Sequence, residues 1–202
     1  LYGTMHVGRL EWLAPGPTLR AALAASEVLA LEVDPGDVAT QAALADAAAP
    51  PGPPPTPTQV RRLARQARLA CVEPSPAAAA PLLQAMGLSM LAARRDGLDP
   101  AYGQEIALAT AWRASAPPAR AIVALESVAL QRRALQADAK DSARMLDQVL
   151  GQLESQQARR LLRQLAQAWE AGDLDALEHY ERWCECRPSA AERALLRRLN
   201  DE

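Results

Sequence analysis

Three short apolar runs, near residues 1–6, 28–33 and 120–125, interrupt a chain whose remaining periodicity is helical. Val28 to Val33 reads as a buried strand, and Ala121-Ile122-Val123-Ala124 is short and β-branched at its centre. Thr18, as an N-cap, begins a predicted helix from Leu19 to Ser26 between the first two runs. A strand–helix–strand order favours a right-handed crossover between parallel neighbours. Parallel strands deliver their carboxyl ends to one edge, where open α/β sheets build their sites. At those ends stand His6, Glu32 and Glu126. An imidazole and carboxylates gathered at one rim have the donor chemistry of a divalent metal site.

Across the chain the apolar mass is mostly Ala, Leu and Val, with no Phe and only four Trp and three Tyr. Such cores suit close-packed helices. Val60, Leu63, Ala64 and Ala67 mark one helix, Pro81 to Met90 another, and Asp99-Pro100 restarts a third. Ile106, Ala109 and Trp112 give that third helix its apolar face, and it ends before Pro117-Pro118. Residues 128–202 read as nearly all helix, broken near Gly151, Gly172-Asp173 and Pro188, with Asp173 and Ser189 as N-caps. Residues 48–57, dominated by Ala and Pro, read as a loop. The expectation is one helix-rich α/β domain over 1–202 with a small parallel or mixed sheet. Its sheet elements fall in 1–35 and 119–126, while 59–114 and 128–202 are mainly helical.

Lys and Arg total 22 against 24 Asp and Glu, a formal charge of −2. That leaves no basic field for a phosphate backbone, so nucleic acid is not an expected partner. No run of roughly 18 apolar residues spans a bilayer. Glycine-rich phosphate loops, nucleophile elbows and paired Cys-x-x-Cys signatures are absent. Cys71 is expected either to form a disulfide with Cys184 or Cys186 or to stay a thiol that packs as a small hydrophobe. His179 reads as a surface histidine. Arg94-Arg95, Arg132-Arg133 and Arg159-Arg160 read as solvated helix faces.

Taken in order, several landmarks resemble the TraB/GumN family, which includes pheromone-shutdown proteins and Tiki-type membrane-associated proteases. They are Leu1-Tyr2-Gly3-Thr4-Met5-His6-Val7-Gly8, Leu31-Glu32-Val33-Asp34, Gly97-Leu98-Asp99, and Val123-Ala124-Leu125-Glu126-Ser127 with Gln131. Cys184-x-Cys186 and Ala191-Glu192-Arg193 through Glu202 extend the likeness. The resemblance implies an erythromycin-esterase/ChaN-like α/β fold with a helical insertion, and a metal-dependent hydrolase or peptidase using Mn, Co or Zn. It carries His6 and Glu32 over as ligand or catalytic residues and Glu126 as a further acid of the site. Gly3, Gly97, Asp99 and Gln131 carry over as motif positions. The family's second Gly-x-x-His has no counterpart up to Glu202. Because Leu1 reads as mid-strand and Glu202 as mid-helix, that motif is expected beyond Glu202, and these residues alone are expected to be inactive. Relatives of the GumN type are often exported, which implies a periplasmic or envelope-associated protein.

On this reading His6 is a ligand, and Glu32 either completes the shell or serves as general base toward a bound water. The substrate would be a peptide or a small molecule. Two other classes compete with it. Ala/Leu-rich helices can hold a peptide or a partner without chemistry, and analogy with ChaN-like folds suggests haem or another small ligand.

Overall fold

A computed structural model describes residues 2–45, 54–73, 80–115, 121–134, 139–183, 193–194 and 197. In chain order its elements are α1 (Pro17–Ala25), β1 (Leu29–Leu31), α2 (Val38–Ala45), α3 (Pro57–Leu69), α4 (Pro81–Leu91) and α5 (Gln104–Ala114). There follow β2 (Ile122–Ala124), α6 (Val128–Ala134), α7 (Ala139–Glu154), α8 (Gln157–Ala171) and α9 (Leu174–Glu178). The chain divides into two compact units, each assembled from two stretches of sequence. Leu1–Asp46 joins Gly97–Gln131 in the first, and Ala47–Asp96 joins Arg132–Glu202 in the second. The protein is thus helix-rich α/β with a small parallel sheet. Among the described residues no helix is long and apolar enough to cross a membrane.

In the first unit β1 and β2 pair in parallel, with Leu29 opposite Ile122 and Leu31 opposite Ala124. The ladder runs on past the strands, since the Leu125 amide donates to the Leu31 carbonyl and the Glu126 amide to the Glu32 carbonyl, both at 2.8 Å. Leu31, Leu108 and Ala109 form the core under the sheet, with Leu19 and Leu23 of α1 packed against them. Trp112 is fully buried, and its indole N–H donates to the Ala121 carbonyl at 3.1 Å, tying the end of α5 to the start of β2.

The second unit is helical. Leu63 and Ala67 of α3, Ala85 and Leu88 of α4, and Leu146, Leu150 and Leu153 of α7 share one core. Helix α3 starts in a reciprocal capping box between Thr56 and Gln59, which satisfies two amides that a helix start leaves open. Arg62 grips both carboxylate oxygens of Glu154 at 2.8 Å, and Arg159 grips Asp96 through Nε and Nη2 at 2.7 and 2.9 Å. The end of α8 passes through Gly172 at φ +67°, a left-handed residue suited to glycine, and Asp173 caps α9 by accepting from the Ala176 amide.

Several expectations need correction. The run near 1–6 forms no strand among its described residues. Tyr2, Gly3 and Thr4 are exposed, and the segment makes only a one-residue antiparallel bridge, from Gly8 to Asp99. Gly3 within the run and Gly8 just after it leave little side chain to pack against a sheet. The other two strands form, at three residues each. Helix α1 is entered from Gly16 through Pro17 rather than capped by Thr18, because proline at the first turn needs no amide partner. Asp99 caps a short 3-10 turn, Pro100–Tyr102, and the α-helix proper begins at Gln104. Gly151 lies inside α7, and the break comes instead at Gln156, whose φ is +60°. Most of the 48–57 loop, Cys184, Cys186 and Ser189 lie outside the described residues. Cys71 is exposed and forms no disulfide among the described residues, and its expected pairing with Cys184 or Cys186 lies outside them.

Gly8 offers a direct test of how closely the first unit is laced. A Cβ at Gly8 would run into the Tyr102 backbone carbonyl, whereas one at Gly3 would meet nothing within 4 Å. Gly8→Ala should therefore destabilise by about 1–3 kcal/mol, and Gly3→Ala should stay within about 0.5 kcal/mol of the parent. Thermal unfolding followed by circular dichroism compares them, and equal melting of the two variants would refute the assignment.

Candidate metal centre

His6 reaches the site through backbone lacing rather than through a sheet. The Gly8 amide donates to the Asp99 carbonyl at 3.1 Å, the Asp99 amide returns the bond to Gly8 at 2.8 Å, and the Gln104 amide donates to the Met5 carbonyl at 2.9 Å. Close approach at both ends depends on glycine: a Cβ on Gly103 would lie 2.8 Å from the His6 carbonyl oxygen. Buried Val7 anchors the segment between them. Since Asp99–Gln104 leads directly into α5, His6 is set beside the first turn of that helix.

Glu105 occupies that turn. Its Oε2 lies 3.2 Å from His6 Nδ1, and its Oε1 accepts from the Thr4 hydroxyl at 2.7 Å. Glu32 follows β1 directly, and the loop behind it is held by Arg113, whose Nη2 donates to both oxygens of Asp34 at 2.5 and 2.6 Å. Burial opposes ionisation of Asp34, but the Arg113 hydrogen bond and the Gly36 amide outweigh it and keep the carboxyl below its ordinary range. His6, Glu32 and Glu105 then offer ligand atoms that all lie within 4.8 Å of one another.

One imidazole and two carboxylates are hard and borderline donors suited to Mn, Co or Zn, and three protein ligands leave positions open for water and substrate. The donor set therefore fits a divalent ion. The His6 side chain is 60% exposed and that of Glu105 15%, so the group opens to solvent on the histidine side. The Glu105 hydrogen bond raises the His6 pKa above the ordinary imidazole value, with burial opposing it and the charges of Glu105 and Glu32 adding to it. At Glu105 burial works to raise the pKa, but hydrogen bonds from His6 and Thr4 and the His6 charge prevail and hold it below the usual range.

Glu126 leaves the same sheet edge as Glu32, half-buried, and is outside the three-residue group. Gly3 is exposed with open space around it, whereas Gly97 adopts φ +76° just before the bridge. Asp99 has two roles, accepting from the Ala101 amide with its side chain and pairing with Gly8 through its backbone. Gln131 donates its amide to Ser127 in the first turn of α6. His179 ends α9, with Nδ1 2.9 Å from the Asp175 carbonyl, a local cap remote in sequence from any of these donors. Sequence reasoning missed Glu105 and Thr4. An acid in the first turn of a helix is already explained by the helix dipole, so Glu105 carries no extra signal on its own. The one hint lay in its neighbour, since Gln104-Glu105 follows Gly97-Leu98-Asp99 at short range.

The sequence profile of the TraB/PrgY/gumN family matches residues 1–202. No curated protein and no solved structure matches the chain.

With only two histidines in the chain, His6 can be followed directly by NMR in chelator-treated protein. It should titrate above the ordinary imidazole value, and Glu105→Gln should bring it down. Because the folded His6 pKa is raised and that of Glu105 lowered, the pair stabilises fully between the unfolded pKa values of the two groups and loses that contribution as pH rises through the folded His6 pKa or falls through the folded Glu105 pKa. An unshifted His6 in the parent, or one unmoved by Glu105→Gln, would disprove the pairing.

Proposed function

The chain belongs to the TraB/PrgY/gumN family, and from that premise we propose that it is a metal-dependent hydrolase acting on peptides, with His6, Glu32 and Glu105 holding the ion. The observation that carries this reading is the convergence of those three donors within 4.8 Å from three separate segments of the first unit. A divalent ion bound there would supply a polarised carbonyl and a water acidic enough to be deprotonated near neutral pH.

The side chains divide the remaining work. Both oxygens of Glu105 are already engaged, one by Thr4 and one by His6, so Glu105 fixes the imidazole plane as well as lending charge. Neutral His6 is the form that ligates, and Glu105 sets which ring nitrogen carries the proton. Glu32 is exposed at the strand end and is the carboxylate placed to take a proton from an attacking water. Glu126 supports it through the backbone, since its amide holds the Glu32 carbonyl.

Calorimetry with Mn, Co and Zn should give about one ion per chain, with His6→Ala abolishing binding and Glu105→Ala weakening it about 10–100-fold. Glu32→Gln keeps an oxygen for the ion but cannot take a proton, so it should retain an ion, more weakly held, while turnover of a peptide library drops by about two orders of magnitude or more. Unchanged metal occupancy in His6→Ala would remove the site. Peptide affinity that survives both chelator and His6→Ala would instead mark a non-enzymatic peptide-binding protein.

A further inference from the structure

The second unit carries a half-open cavity of about 580 Å³ that takes no part in the proposed hydrolase site. That volume falls within the roughly 300–1,000 Å³ typical of small-molecule sites. Its apolar wall is aliphatic, built from Leu69 of α3, Leu88 and Leu91 of α4, and Leu153 of α7. No aromatic side chain lines it among the described residues, so it offers nothing for a planar ring to stack on.

Its charge is one-sided. Arg65, Arg94, Arg95 and Arg159 line it against the single acid Glu154. Glu154 is gripped from outside the lining by Arg62, and Arg159 is engaged by Asp96. Both pairs show guanidinium holding carboxylate at this end of the unit, in the fork geometry that such pairs favour. Arg65 and Arg95 are exposed and contribute positive charge beside the leucine wall.

We propose that this cavity binds a single-chain fatty carboxylate, with its aliphatic tail against the leucines and its head on Arg65 and Arg95. A flexible chain fills an aliphatic cavity without needing stacking partners, and a carboxylate repeats the chemistry that Arg62 and Arg159 already display.

Cys71 also lines the cavity and is exposed, which supplies a reporter. In full-length protein carrying Cys184→Ser and Cys186→Ser, dodecanoate below its micelle threshold should bind saturably at one per chain and slow thiol modification of Cys71. Butyrate, dodecyl maltoside and dodecyltrimethylammonium should do neither. Arg65→Glu with Arg95→Glu should weaken dodecanoate by about tenfold or more. Leu69→Asp, at a half-exposed position that does not threaten the core, should weaken it as well, and His6→Ala should change nothing. Equal binding of the neutral or cationic amphiphile, full affinity in the arginine variant, preference for an apolar peptide over dodecanoate, or absence of saturable binding would each overturn the proposal.

Discussion

The first unit depends on how closely two backbones can approach. Met5 to Gly8 lies against Asp99 to Gln104 through three amide–carbonyl bonds, and the approach is allowed because Gly8 and Gly103 carry no side chain at the points of contact. Buried amides must find partners, so this lacing also accounts for the polar groups of a segment that belongs to no sheet. It fixes where α5 begins relative to His6, and with that the distance between an imidazole and a carboxylate almost a hundred positions further along the chain. The glycines of the Gly-x-x-His-x-Gly run thus have different duties, one steric at Gly8 and none of that kind at Gly3.

Much of the site was legible in the sequence, by a route that was half right. The strand–helix–strand crossover expected between 1–6 and 28–33 does not form, but both β-branched runs read at Val28–Val33 and near 120–125 become strands, and their parallel pairing brings Glu32 and Glu126 to one edge. His6 joins that edge without being on a strand, because hydrophobic patterning cannot distinguish a strand from an extended segment stapled to a loop. Glu105 stayed hidden for a different reason: a carboxylate at a helix start has an ordinary electrostatic purpose, and its second purpose exists only in three dimensions. Helix ends were misread where a single residue outweighs the pattern. Pro17 displaced Thr18, and α7 runs through Gly151 at a cost of about 1 kcal/mol before Gln156 turns the chain.

Arginine use in the second unit also departs from the sequence reading. Arg159, read as part of a solvated face, holds Asp96 in a two-point grip with both side chains largely shielded. Arg62 does the same for Glu154 while also reaching Asp147. Partly exposed pairs of this kind add little stability one at a time, but a planar fork restricts geometry more than a lysine would. Their main effect is on shape, because they fix the helices whose leucines wall the cavity.

The buried indole of Trp112 has a consequence beyond core packing. Helix α5 is secured at its start by the Met5 carbonyl and at its end by Trp112 reaching the Ala121 carbonyl, just ahead of β2. Strand β2 is in turn bonded to β1, which delivers Glu32, so the three donors belong to one closed circuit of contacts. A circuit of this kind transmits strain around its whole length, so a change at the indole would be felt at the opposite end as altered spacing between nitrogen and oxygen.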